Sequence, residues 1–280
     1  MKTIENACFP NERDLYASDG LHLKKCTFDG IEDGESALKE SKNLLLEDCY
    51  MNLRYPLWHD ENVGLRRVTM TDKCRAALWY TKNVKIENSA LLGIKALREC
   101  RDIRISDTKI VSPEFGWKSE NIVIERAQIE SEYAFLLARG LTLKGTQFKG
   151  KYSFQYVENA LLENCTLDTK DAFWHTKNVT VKNCIVKGEY LGWYSENLTF
   201  VNCTIAGTQP LCYCKGLKLI DCKTENADLS FEYSEVDATI QGSVLSVKNP
   251  RAGKIVCGGV GELIYTKDSK YPCACKIITK

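Results

Sequence analysis

The chain has 280 residues, 44% of them hydrophobic, which is enough to bury a large core. Lys and Arg total 38 against 37 Asp and Glu, so no net field draws in nucleic acid or an anionic membrane. The opening MKTIENACFPNERDL carries no apolar signal core and no apolar run reaches membrane-span length, so a cytoplasmic location is expected, with fourteen reduced cysteines and no disulfide framework.

Residues 1–19 precede the first regular element and are expected to cap it. From Gly20 the sequence repeats. Units open at Gly20, Asn43 and Asn62 with short insertions, and then every 19 residues at Asn83, Asp102, Asn121, Gly140, Asn159, Asn178, Asn197 and Gly216. Apolar residues follow each opening at the second and fourth places, such as Ile122 and Ile124 or Val179 and Val181. That alternation predicts a strand with one face inward. The seventh place is small: Cys26, Cys49, Val68, Ser89, Thr108, Ala127, Thr146, Cys165, Cys184, Cys203 and Cys222. Large residues such as Phe28, Ile129 and Ile205 return at the ninth. The leucine framework and helical half of a leucine-rich repeat are absent. The pattern predicts an all-β fold, a single-stranded parallel β-helix of eleven to twelve coils within one domain, regular over 20–235. Residues 236–280 are expected to add irregular last coils, one beginning near Asp237, and a cap.

If equivalent positions stack, each column must be physically compatible with itself. The residue before each opening reads Lys42, Glu61, Lys82, Arg101, Glu120, Arg139, Glu158, Lys177, Glu196, Lys215, and eight of nine neighbouring pairs have opposite sign. Such a ladder is stabilised by roughly 0.2–1 kcal/mol per pair. Asn at the openings suits a bend, and its amides can stack as a second ladder.

Four residues before each opening lies a column holding all five tryptophans: Lys39, Trp58, Trp79, Arg98, Trp117, Leu136, Gln155, Trp174, Trp193, Cys212. The next place reads Glu40, His59, Tyr80, Glu99, Lys118, Leu137, Tyr156, His175, Tyr194, Tyr213. The place before the tryptophans is apolar or Gly, from Leu38 to Leu211, and reads as core. Unpartnered Lys, Arg and Gln do not share a buried column with Trp, so the rings are expected on the outer side. One reading is an aromatic platform for a saccharide or similar flat ligand, with Lys39, Arg98, Glu99, His59 and His175 as orienting polar contacts. The other is a structural ladder or the interface of a homo-oligomer.

The segments GESALKES (34–41), YPLWHDENV (55–63), CRAALWYTKNV (74–84), KDAFWHTKNVTV (170–181), GEYLGWYSENLTFVNCTI (188–205), LCYCKGL (211–217), FEYSEVDA (231–238) and SVKNP (246–250) resemble an uncharacterised bacterial family. It is a domain of unknown function of about this length, and the resemblance covers nearly the whole chain. It implies a right-handed parallel β-helix of the pectin-lyase-like type and carries no activity with it. Members often have GESPLKES where this chain has Ala37, and Asn after Trp where it has His175 and Tyr194.

Pectin-lyase-like folds often host polysaccharide hydrolases and lyases, but a fold does not transfer an activity. The Asn-Thr-Asp, Asp-Asp and Gly-His-Gly segments of galacturonan hydrolases are absent. If the chain is a glycoside hydrolase, polysaccharide lyase or other sugar-modifying enzyme, Asp171, Glu189 and Glu232 are the first catalytic candidates. Asp171 and Glu189 fall on adjacent coils at nearly one angular position. The ligand-binding candidates are Lys39, Trp58, His59, Arg75, Trp79, Tyr80, Arg98, Trp117, Trp174, His175, Trp193 and Tyr194. The C-x-C pairs Cys212/Cys214 and Cys273/Cys275 lack zinc-knuckle spacing, and the three histidines are dispersed; no metal and no cofactor is expected.

Overall fold

The computed structural model describes residues 1–30 and 34–280. Two compact units divide the chain, Met1–Leu141 and Thr142–Lys280. Among the described residues both are parallel β-solenoids without a helix. Among the described residues no helix is long and apolar enough to cross a membrane.

In the first unit the long strand of each coil stacks in parallel on the next. Lys2–Glu5, Leu21–Lys24, Lys42–Glu47, Glu61–Arg66, Lys82–Glu87, Arg101–Ser106 and Glu120–Glu125 follow one another in this way. In the second unit Glu158–Glu163, Lys177–Lys182, Glu196–Val201, Leu217–Glu225, Glu235–Gln241, Ala252–Cys257 and Lys276–Thr279 do the same. The expectation of eleven to twelve coils is too low, because the end segments also coil. Lys2 lies opposite Leu21 in the sheet, so residues before Gly20 form a full rung. The strands after Glu235 stack in parallel although their repeat is broken.

The coil follows from the repeat. Leu44, Leu46, Val63 and Leu65 are at most 2% exposed, as the second and fourth places require. The seventh- and ninth-place residues and the leucines and phenylalanines before the tryptophan column fill the remaining core. Bends come from left-handed backbone at fixed places, and Asn43, Asn62, Asn83, Asp102 and Asn121 have φ of 54°, 59°, 52°, 59° and 56°. Their side chains form the expected ladder. The Asn62 amide donates to the Asn43 Oδ1 at 2.9 Å and that of Asn83 to the Asn62 Oδ1 at 2.7 Å. In the second unit the Asn178 amide donates to Asn159 and the Asn197 amide to Asn178. Within the charge ladder Arg101 pairs with Glu120 at 2.8 Å and Lys177 with Glu196 at 4.0 Å.

Candidate binding face

A left-handed residue also follows every tryptophan. His59, Tyr80, Lys118, His175 and Tyr194 have φ between 51° and 63°, a conformation L residues rarely adopt. It turns each of these side chains outward, beside rather than above the preceding ring.

In the first unit the inner column is a continuous stack. The Lys39 ammonium lies 5.0 Å from the Trp58 ring centre. Trp58 and Trp79 stack at 5.4 Å and 11°. The Arg98 guanidinium sits 4.9 Å from Trp79 and 5.1 Å from Trp117. The two cations expected to orient a ligand are therefore spent on ring faces, a cation–π arrangement strongest when desolvated. Arg98 also meets Glu99 at 3.4 Å and Glu114 at 3.8 Å. Arg75 stands apart from this column, over Tyr55 at 6.0 Å, and Tyr55 in turn tilts against Trp58. The outer pair His59 and Tyr80 stack at 4.7 Å.

In the second unit Trp174 and Trp193 stack at 5.3 Å and 5°. Their indole N–H groups donate to the carbonyls of Tyr190 (2.6 Å) and Gln209 (2.8 Å), each sixteen residues on. Gln155 does the same to Asp171 with its amide, which explains how Gln shares a column with Trp. Beside them runs a stripe of four outer rings. Tyr156–His175, His175–Tyr194 and Tyr194–Tyr213 stack at 4.8, 5.1 and 4.7 Å, all within 12° of parallel. Tyr156 is 46% and Tyr194 45% exposed. Burial and then the Glu232 charge push the Tyr213 phenol up to about 12.

The acid candidates split. Asp171 and Glu189 do sit on adjacent coils, the Asp171 N–H donating to the Glu189 carbonyl. Burial, reinforced by Glu189 against the pull of Lys170, holds the Asp171 pKa above the usual carboxylate range. Glu189 pairs with Lys170 at 3.8 Å. Glu232 lies two coils beyond Glu189, in the tryptophan column, and pairs with Lys248 at 3.0 Å. Among the described residues no group of three or more His, Cys, Asp or Glu is placed to hold a metal ion. Cys212 and Cys214 are 1% exposed and burial raises both thiol pKa values.

One ionisable group escaped the sequence reading. Asp60 is 1% exposed in a buried column whose other members are hydroxyl, thiol or apolar residues, including Ser41, Thr81, Cys100 and Ser119. Its Oδ1 accepts the Ser41 N–H at 2.9 Å, and its Oδ2 is buried with no partner. Burial pushes its pKa up to about 8. The available signal was a lone acid in a Ser/Thr/Cys column.

The family profile for proteins of unknown function designated DUF3737 matches residues 2–278. The chain belongs to the DUF3737 family. No curated protein matches it. Among solved structures, the DUF3737 chain is similar to the A-module of the mannuronan C-5 epimerase of Azotobacter vinelandii at 9% identity and a TM-score of 0.30, covering 96% of this chain and 88% of that one. It is also similar to two variants of a periplasmic alginate epimerase. One has 7% identity, TM-score 0.29 and coverage of 99% and 74%; the other has 9%, 0.31 and coverage of 94% and 77%.

Proposed function

We propose that this DUF3737 protein is a noncatalytic binding scaffold whose contact surface is the Tyr156–His175–Tyr194–Tyr213 stripe. The observation that carries this reading is the near-parallel stacking of those rings. Rings stacked on one another cover each other's faces, so only their edges and polar tips reach solvent. A saccharide platform works by offering open faces, and the inner tryptophans are likewise covered by a ring, a cation or both. A row of tyrosine edges, apolar along the side and hydrogen-bonding at the tip, is the composition typical of macromolecular interfaces. The acids favour the same reading. Glu189 and Glu232 are engaged by lysines, and Asp171 lies buried at the coil turn.

The test is a thermal-shift panel of neutral, acidic and amino sugars and their oligomers, run beside footprinting of the stripe. A binding scaffold of this kind gives no sugar-dependent stabilisation. It also shows Tyr156 and Tyr194 shielded from hydroxyl-radical attack whenever the partner is bound. A sugar that raises the Tm of the wild type and not of Tyr194→Ala overturns it in favour of a saccharide site.

A further inference from the structure

Resting on that reading of the stripe, we infer that its partner is a second copy of this chain, bound about a two-fold axis that passes between the coils of His175 and Tyr194. The argument comes from the charges beside the rings. Two residues after each outer ring stands a member of the charge ladder: Glu158 after Tyr156, Lys177 after His175, Glu196 after Tyr194, Lys215 after Tyr213. The residue between is buried in each case, namely Val157, Thr176, Ser195 and Cys214. Ring and charge are thus both open to solvent on every coil, two residues apart. Lys177 and Glu196 are about half exposed and only 4.0 Å apart, so their pairing within the chain leaves both open to a further partner.

A strictly alternating row has a symmetry property. Reversed about a point midway between two rungs, Glu–Lys–Glu–Lys becomes Lys–Glu–Lys–Glu, so each charge meets its opposite. Reversed about a rung, every charge meets its like. A two-fold axis between coils thus gives a self-complementary surface of the kind an isologous dimer requires. With the axis between the second and third rungs, Lys177 faces the partner's Glu196 twice and Glu158 faces the partner's Lys215 twice. The same operation sets His175 against the partner's Tyr194, an imidazole nitrogen against a phenol. It sets Tyr156 against the partner's Tyr213. The stripe is short, four coils at about 4.8 Å each, so the dimer belongs to the weak, concentration-dependent class.

Sedimentation equilibrium on the full chain at low salt tests this. The wild type is expected to show a monomer–dimer equilibrium that weakens with added salt. Lys177→Glu alone and Glu196→Lys alone each set like charges across the axis twice. Each is expected to dimerise about 10-fold or more less tightly. An equimolar mixture of the two variants restores opposite charges at both contacts, and wild-type affinity is expected to return. The double variant is expected to behave like the wild type. Each single variant carries the same like-charge repulsion within its own chain whether alone or mixed, so recovery on mixing reports the contact between chains and not folding. A wild type that stays monomeric at several hundred micromolar overturns the inference, as does a mixture no tighter than its components. The two failures separate: if Tyr156→Ala with Tyr194→Ala dissociates the dimer and the mixture does not recover, the stripe stands and the axis falls. If that variant leaves a charge-dependent dimer intact, the stripe itself falls.

Discussion

Asp60 is the residue at which local chemistry and fold disagree most. Its column asks for a group that accepts the N–H of the preceding coil and also donates to a carbonyl there, as Ser41 does in accepting the Ser18 N–H at 3.0 Å and donating to the Leu15 carbonyl at 3.3 Å. A carboxylate accepts but cannot donate, and its second oxygen is stranded. The folded-state pKa of about 8 lies above the ordinary 3.8, so folding binds a proton between those values. The sign is fixed: stability is greatest below the unfolded value and falls as pH rises toward 8, by roughly 5 kcal/mol over the window. Asp60→Ser restores the column's own chemistry. It is expected to be more stable than the wild type at pH 8 by several kcal/mol, on the order of that shift. Its urea-unfolding free energy is expected to vary less between pH 4 and 8. Parallel profiles for the two proteins would refute this. The tryptophans offer a second comparison. Trp79 Nε1 is buried without a partner, whereas Trp174 Nε1 reaches the Tyr190 carbonyl. Trp→Phe at 174 gives up a hydrogen bond and leaves the part-buried Tyr190 carbonyl short of a donor, while at 79 it removes a stranded donor. Trp174→Phe is therefore expected to cost about 1–2 kcal/mol more than Trp79→Phe in urea unfolding.

At the scale of the coil, what was legible in the sequence was whatever stacking repeats. The 19-residue step, the buried second and fourth places, the Asn ladder and the alternating charges are each a column whose chemistry must agree with itself ten times over. Features set by a single coil were not legible. The first and the last coil each pair in parallel with a neighbour in their own unit, but their spacing breaks the period, so Lys2–Glu5 and Lys276–Thr279 read as caps. The tryptophan column was found, but not that its cations would lie on the rings, because ring orientation depends on the coil above and below. Nor does spacing reveal the two glycines that follow the short strands Ile185–Lys187 and Thr204–Ala206 on adjacent coils. Gly188 and Gly207 have φ of 149° and 127°, and a Cβ at either would stand 2.0 Å or less from a carbonyl oxygen of the preceding coil, Thr169 and Gly188 respectively. Neither clash can be relieved by moving a side chain. Gly188→Ala and Gly207→Ala are each expected to lower the unfolding free energy by about 3 kcal/mol or more, against about 1 kcal/mol for removing one rung of the Asn ladder in Asn178→Ala. Equal losses at the three positions would show that the close backbone approach is not a constraint.

Over the whole chain, a solenoid holds each coil through its immediate neighbours, so stability is a sum of local and nearest-neighbour contributions and opening begins where a neighbour is missing. Within the second unit that place is the C-terminal end. Among the described residues Gly259–Ile264 pairs with Ser243–Lys248 in a sheet of two strands, and Leu263 within it and Tyr265 just after it are 45% and 54% exposed. The cysteines report the order of opening without any added probe. Cys8 is exposed and Cys273 partly so. Cys275 is 9% exposed, with burial raising its thiol to about 11. Cys165, Cys184 and Cys203 form an interior ladder, each of the first two donating its backbone N–H to the next sulfur at 3.3 and 3.5 Å. A buried thiol reacts only when its coil opens, because burial denies the alkylating reagent access to the sulfur. Pulsed alkylation in sub-denaturing urea, read by mass spectrometry, is therefore expected to label Cys8 and Cys273 first. Cys275 and Cys257 should follow, and the Cys165–Cys184–Cys203 ladder should be labelled last within its unit, at a rate that tracks the unfolding of that unit. Labelling of the ladder ahead of Cys275 would mean that the core strands open before the end coil. Nearest-neighbour stacking would then not be what holds the sheet together.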